Sequence, residues 1–261
     1  MVLDSEYPIC EFDTGRDPLI RPADFLAKTL PEKCVITFFR RELEELVREN
    51  QLPVLDRLHS EVLDIPVYGY PLASETIAVT MPFCTAPGAA STIEELHAMG
   101  CGRFLVCGGA GALRGELSLG EIVVPTAAVR DEGTTTHYIP IEYPAVADRH
   151  LVEALASCGR QRGLRLLEGI SQSKDSFYGE VDPDCSPVSP RLKERWTAWQ
   201  RGNVACSEME CAALFVIASI RGARAGAIMN WGEMEQTIQT ACDAVRLLIR
   251  QDQAQEGQGT V

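Results

Sequence analysis

Apolar positions along the chain fall into two rhythms. Unbroken apolar runs, the mark of strands buried on both faces, occur at residues 34–39 and 103–107. Further strands are predicted at 61–70, 75–83, 121–130, 165–173, 203–207 and 223–230. Between them the spacing turns helical: Leu43, Leu46 and Val47 share one face of 40–51, and helices are predicted at 88–99, 148–162, 190–201, 208–221 and 234–250. This alternation predicts a single α/β domain, a central mixed β-sheet flanked by helices on both faces. No repeat or linker divides residues 34–250. An N-terminal arm over 1–33, broken by Pro8, Pro18, Pro22 and Pro31, precedes them, and a polar tail over 251–261 is expected to fray.

Composition narrows the partners. With 261 residues, 46% of them hydrophobic, the chain can bury one large core. A formal net charge of −13 argues against nucleic acid or an anionic membrane as partner, since both attract basic patches. A small molecule recognised locally remains compatible with it. The acidic start lacks the basic-then-apolar order of a signal peptide, and no apolar run is long enough to span a bilayer. Ten cysteines are scattered through apolar segments without CxxC spacing or a following His. They are expected to be reduced core thiols of a cytoplasmic protein, and neither a metal nor an organic cofactor is implied.

Ligands in such folds sit beyond the carboxyl ends of the strands. Three segments there carry candidate chemistry. Gly108 and Gly109, in Cys107-Gly108-Gly109-Ala110-Gly111, either let the backbone approach an anion or form a tight strand–loop crossing. Phe177 and Tyr178, followed by Glu180, suit a planar heterocycle stacked on a ring, or else plug a loop. Glu208-Met209-Glu210 sets two carboxylates beside an apolar helix, costly to bury without partners. A sugar diol is one such partner. Glu208 fits equally well as an acid in a helix's first turn, whereas Glu210 runs into Ala212, Ala213 and Leu214 and fits that role less well.

These segments, with Gly120–Pro125, Val129–Gly133, His137 and Pro144–Asp148, resemble in order the uridine phosphorylase branch of the nucleoside phosphorylase family over roughly residues 30 to 250. The resemblance implies that Phe177 stacks on the base, Met209 packs on the ribose and Glu210 holds its hydroxyls. It also implies that Asn230, after the late strand, belongs to the catalytic site. Dimers, usually arranged as hexamers with sites completed by a neighbour, are implied too.

The pattern departs from that family at its anion site. Where the family has a Gly-Asp-Pro-x-Arg loop, this chain reads Thr37-Phe38-Phe39-Arg40-Arg41-Glu42. Val106 replaces a second Arg, Gly109 a Thr, and Ser60 an Arg lent by the neighbour. Arg40, Arg41 or Arg114 would have to rebuild the phosphate clamp; each otherwise reads as a solvated helix or loop arginine. Glu180 and Asp182 stand where a Gln and an Arg read uracil, and Trp231 replaces an Arg. The expected activity is cleavage of a nucleoside's N-glycosidic bond, with phosphate as acceptor. The alternatives are a phosphate-independent hydrolase, with Glu42 or Glu208 as base, and a non-catalytic nucleoside binder.

Overall fold

The computed structural model describes residues 18–114, 117, 120–178, 190–230 and 232–258. The first half holds β1 (Lys33–Thr37), α1 (Arg40–Asn50), β2 (Val54–His59), β3 (Asp64–Leu72), β4 (Glu75–Thr80), α2 (Thr85–Ala98), β5 (Arg103–Gly109) and β6 (Gly111–Ala112). The second holds β7 (Ile122–Asp131), β8 (Ala145–Val146), α3 (Arg149–Gln161), β9 (Leu166–Lys174), α4 (Pro190–Arg201), β10 (Val204–Glu208), α5 (Cys211–Ile220), β11 (Arg224–Asn230) and α6 (Met234–Gln258). Among the described residues, 11 strands form one mixed sheet, in the order β2-β3-β4-β1-β5-β11-β7-β9-β10-β6, with β8 on β7.

The directions of these strands shape the site. β4, β1, β5 and β11 are mutually parallel, β7 is antiparallel to β11, and β9 and β10 run parallel to β7. The ladder then returns to β5. β6 follows β5 after the single residue Ala110 and pairs with β10, with Gly111 opposite Ser207. Strand twist accommodates such closure. The carboxyl end of β10, remote from β5 along the ladder, is thereby brought to the glycine-rich end of β5.

Helices cover both faces: α2 packs with α5, and α3 with α6. α5 is apolar all round, and Cys211 through Ala218 are all buried. α3 starts at Asp148, whose carboxylate accepts from the Leu151 amide at 3.0 Å. It lies close on β11, where a Cβ added to Gly226 would meet Leu151 Cβ at 2.8 Å.

Several elements differ from the expectation: the short strands β6 and β8 are additional, β3 starts at Asp64 and β4 ends at Thr80. β2 was not predicted, because only Leu58 of its residues is buried and an edge strand so exposed carries no apolar alternation. α2 begins at Thr85 rather than at residue 88. β10 runs through Glu208, so α5 starts at Cys211 and both site carboxylates fall at the junction. α6 continues to Gln258 instead of fraying after Arg250, because Asp252 pairs with Lys33 and Arg103 and Gln253 donates to Ser74 Oγ at 2.7 Å. The eight cysteines among the described residues are unpaired, and all but Cys84 are buried. Cys10 and Cys185 lie outside the described residues.

Candidate functional site

The mouth forms where β5, β10 and β11 end together. Asn230 lies opposite Gly109, and its carbonyl accepts from the Ala110 amide at 3.2 Å. Asn230 is 2% exposed; its Oδ1 accepts from the Glu233 amide at 2.6 Å, while Nδ2 has no partner among the described residues. A buried amide donor without an acceptor is costly, and such groups concentrate at functional sites. Gly108 is buried, and a Cβ there would meet Met229 Sδ at 3.0 Å, so the residue is small for packing. Gly109 is exposed and has only ordinary contacts around it, which leaves its backbone open to the mouth.

Glu208 and Glu210 flank Met209 but have different surroundings. Glu208 is 4% exposed; its Oε1 accepts from Ser173 Oγ, and its Oε2 from the amides of Glu210 at 2.6 Å and Cys211 at 2.7 Å. It thus closes the start of α5 and ties it to β9, where Ser173 Oγ also accepts from the Ala212 amide at 2.8 Å. Burial pushes its pKa up, opposed by those hydrogen bonds. Glu210 is half-buried and reaches across the fold, accepting from the Thr85 amide at 2.9 Å on Oε1 and from the Met209 amide at 3.2 Å on Oε2. Burial first, and then the neighbouring Glu208, raises its pKa to about 7. One bond to each oxygen leaves an acceptor position on each, which matches two adjacent hydroxyls.

The aromatic pair follows β9. Phe177 and Tyr178 are 64% and 92% exposed and meet edge to face with centroids 4.9 Å apart. Asp175, just before them, accepts from the Gly133 amide at 2.8 Å and anchors the segment to the end of β7. Glu180, Asp182 and Trp231 lie outside the described residues.

The arginines considered for an anion clamp are engaged elsewhere. Arg40 and Arg41, 77% and 83% exposed, pair with Glu44 and Glu45 one turn along α1. Arg114 donates to Asn203 Oδ1. Arg130, at the end of β7, donates to the carbonyls of Ile139, Pro140 and Tyr143 and to Thr135 Oγ1. Val106 is fully buried in β5, and Ser60 closes the β2–β3 turn by accepting from the Val62 and Leu63 amides. Among the described residues, no three His, Cys, Asp or Glu side chains converge as a metal site requires, and no helix is long and apolar enough to cross a membrane.

Sequence reasoning missed Thr85 and Ser173, the partners that fix the two carboxylates. Ser173 carried a faint signal, a polar residue at the end of a strand. Thr85 carried none, because its partner lies 125 positions away.

Comparison with known proteins identifies the family. Residues 32–239 match the model of the phosphorylase superfamily. A uridine phosphorylase of Treponema pallidum is 34% identical over 197 residues, covering 69% of this chain and 76% of that protein. A uridine phosphorylase of Thermococcus kodakarensis is 34% identical over 197 residues, covering 70% and 71%. A guanosine phosphorylase of Halorubrum lacusprofundi is 37% identical over 142 residues, 54% of each chain. With residues 32–239 matched by the family model and two uridine phosphorylases 34% identical over 197 residues, the chain belongs to the phosphorylase superfamily, in the uridine phosphorylase branch of the nucleoside phosphorylase family.

Proposed function

We propose that this protein is a pentosyltransferase that cleaves the N-glycosidic bond of a nucleoside and transfers the sugar to phosphate. The observation that carries the reading is Glu210, a half-buried carboxylate fixed by two amides with one acceptor position left on each oxygen. In this reading Glu210 holds the ribose diol, Met209 packs on the sugar and the exposed Phe177 stacks on the base. Glu208 acts from behind, setting the junction from which Glu210 projects. As the bond breaks, the sugar gains positive charge, and a carboxylate held on its hydroxyls stabilises that charge at close range. Asn230 Nδ2, buried without an acceptor, supplies a donor beside Gly109 for the departing base or for a loop that closes on it. The open backbone of Gly109 would face the attacking oxygen. The relatives named as uridine phosphorylases support a pyrimidine nucleoside as the first substrate to try.

A dimer-based assembly fits the β2–β3 hairpin, whose tip leaves Val62 87% and Leu63 48% exposed. A cytoplasmic setting fits its unpaired cysteines.

The alternative, in which water replaces phosphate, is kept as an outcome of the test. A phosphate dianion beside two carboxylates needs a cationic clamp. The candidates Arg40 and Arg41 pair with glutamates of their own helix, and Arg114 donates to Asn203 Oδ1. Base release from uridine, inosine, guanosine and their deoxy forms, followed by chromatography with and without phosphate, separates the two. Release that requires phosphate is expected. Release that ignores phosphate would establish the hydrolase, and nucleoside binding without release would overturn both.

A further inference from the structure

The segment entering α2 is folded more tightly than a helix start requires. The Phe83 amide donates to Thr92 Oγ1 at 3.2 Å, and Thr92 Oγ1 donates to the Gly88 carbonyl at 2.8 Å. A Cβ on Gly88 would lie 2.8 Å from the Phe83 backbone, so only glycine admits this crossing without a shift. The turn carries Thr85 to a φ of +71°, a left-handed conformation in which a β-branched residue is an outlier. Strain of this kind persists where surrounding structure over-determines it, and it clusters at functional sites.

The strained turn has a definite result. α2 has no acidic residue in its first turn, and its N-cap Cys84 makes no side-chain capping bond. Its first amides are therefore not capped by a side chain of its own N-terminus. The left-handed turn aims the amide of Thr85 across the fold, 2.9 Å from Glu210 Oε1. Among the described residues, Glu208 at the end of β10 is the charge that acts on Glu210, and Glu210 in turn acts on the thiols of Cys84, the N-cap of α2, and Cys211, the first residue of α5. The amides of Thr85, at the positive end of α2, and of Met209 oppose the charge of Glu208, and Thr85 is the one that comes from outside the Glu-Met-Glu segment.

We propose that Thr85 is a positioning residue for Glu210, its left-handed backbone holding an amide on one carboxylate oxygen so that the group stays oriented and ionised for the sugar diol. The inference rests on the reading of Glu210 as the ribose acceptor. Its strain at Thr85 serves the site rather than the helix. Removing the amide, or displacing the turn that aims it, must raise the pH at which Glu210 ionises, because a donor to a carboxylate favours the charged form.

The test uses the full chain labelled with ¹³C-glutamate, with the Glu210 carboxyl resonance assigned by its loss in Glu210→Gln. Thr85→Pro removes the amide hydrogen, Gly88→Ala pushes the Phe83–Thr85 turn aside, and Thr85→Gly keeps the amide while relieving the strain. The first two are expected to raise the Glu210 titration midpoint by about one pH unit and weaken uridine binding about tenfold. Thr85→Gly, which keeps the amide, is expected to leave the midpoint within about 0.3 pH unit of the parent's and to raise the melting temperature. If Thr85→Pro does not fold, Gly88→Ala decides alone. An unmoved midpoint in the folded variants overturns the proposal. A raised midpoint in protein that binds no nucleoside at all upholds the Thr85 contact and overturns the functional reading instead.

Discussion

The two ends of the parallel strands treat charge in opposite ways. At the amino ends of β1, β4 and β5, Lys33 lies beside Glu75 at 2.9 Å and Asp252 at 3.2 Å, and Arg103 beside Asp252 at 2.9 Å and Glu32 at 2.9 Å. Burial works against the Lys33 charge, but Glu75 and Asp252 outweigh it and leave its pKa above the ordinary value. At the carboxyl ends, Glu208 and Glu210 flank Met209, and the charge of Glu208 raises the pKa of Glu210. They are held by amides and a serine hydroxyl. One edge is balanced and serves stability. The other is held out of balance by surrounding structure, as a site that must meet charge in a ligand requires.

Removing the unbalanced carboxylate should have the largest effect. Glu210→Ala is expected to lower kcat/KM for nucleoside cleavage by about 10²–10³-fold, the scale of losing one electrostatic stabiliser of the transition state. Steady-state kinetics on the best nucleoside of the panel measures it, and a loss under tenfold would remove Glu210 from the reaction. At the balanced edge Lys33→Met should leave kcat/KM intact and lower stability by roughly 2–3 kcal/mol. That is the cost of unpairing carboxylates that remain partly solvated. Urea unfolding checks this, and a stability loss below 0.5 kcal/mol, by estimate about the value of an exposed pair, would mean that the edge is not a coupled network.

How far these edges can be read from sequence depends on how locally they are determined. β1 and β5 announce themselves because both faces of each are buried, so the apolar run is unbroken. The Glu-Met-Glu segment is legible because acids next to an apolar helix conflict with burial. β2 is silent because it is exposed, and the end of α6 misleads because its polar residues look like a tail until Asp252 meets Lys33 and Arg103. The missing clamp was legible in part: Arg40 and Arg41 show i,i+4 glutamates in the sequence, and the structure puts both on a solvated face. The Thr85 contact was not, because it depends on the closure that brings β10 beside the end of β5.

Titration sharpens the comparison, because the edges respond in different pH windows. Glu210 in the folded protein ionises near 7, above its ordinary value near 4.5. As pH rises between those values the unfolded chain releases its proton first, so the group lowers stability with rising pH. Asp252 shows the reverse: burial raises its pKa, but Arg103 and Lys33 outweigh this and lower it. Its contribution is present above the unfolded value and lost as pH falls through the folded one. Glu210→Gln should therefore gain on the parent by roughly 1–3 kcal/mol between pH 5 and 8. The parent's advantage over Asp252→Asn should persist down to about pH 4 and then vanish. Urea midpoints across this range test both, and parallel pH profiles for all three proteins would erase the distinction between the edges.

The smallest effect is predicted where a clamp would be sought first. Arg40 and Arg41 follow β1 directly, at the edge where an anion would sit, yet each is solvated and directed to a glutamate on its own helix. Exposed pairs of this kind are screened and flexible, so replacing them changes little beyond the helix surface. Arg40→Gln and Arg41→Gln, alone and together, are expected to keep the KM for phosphate within about twofold of the parent. A tenfold rise in that KM in either variant would mean that α1 turns a guanidinium into the mouth when phosphate binds. The carboxyl edge would then acquire its missing cation from the ligand-bound conformation, and the case for water as the acceptor would lose its footing.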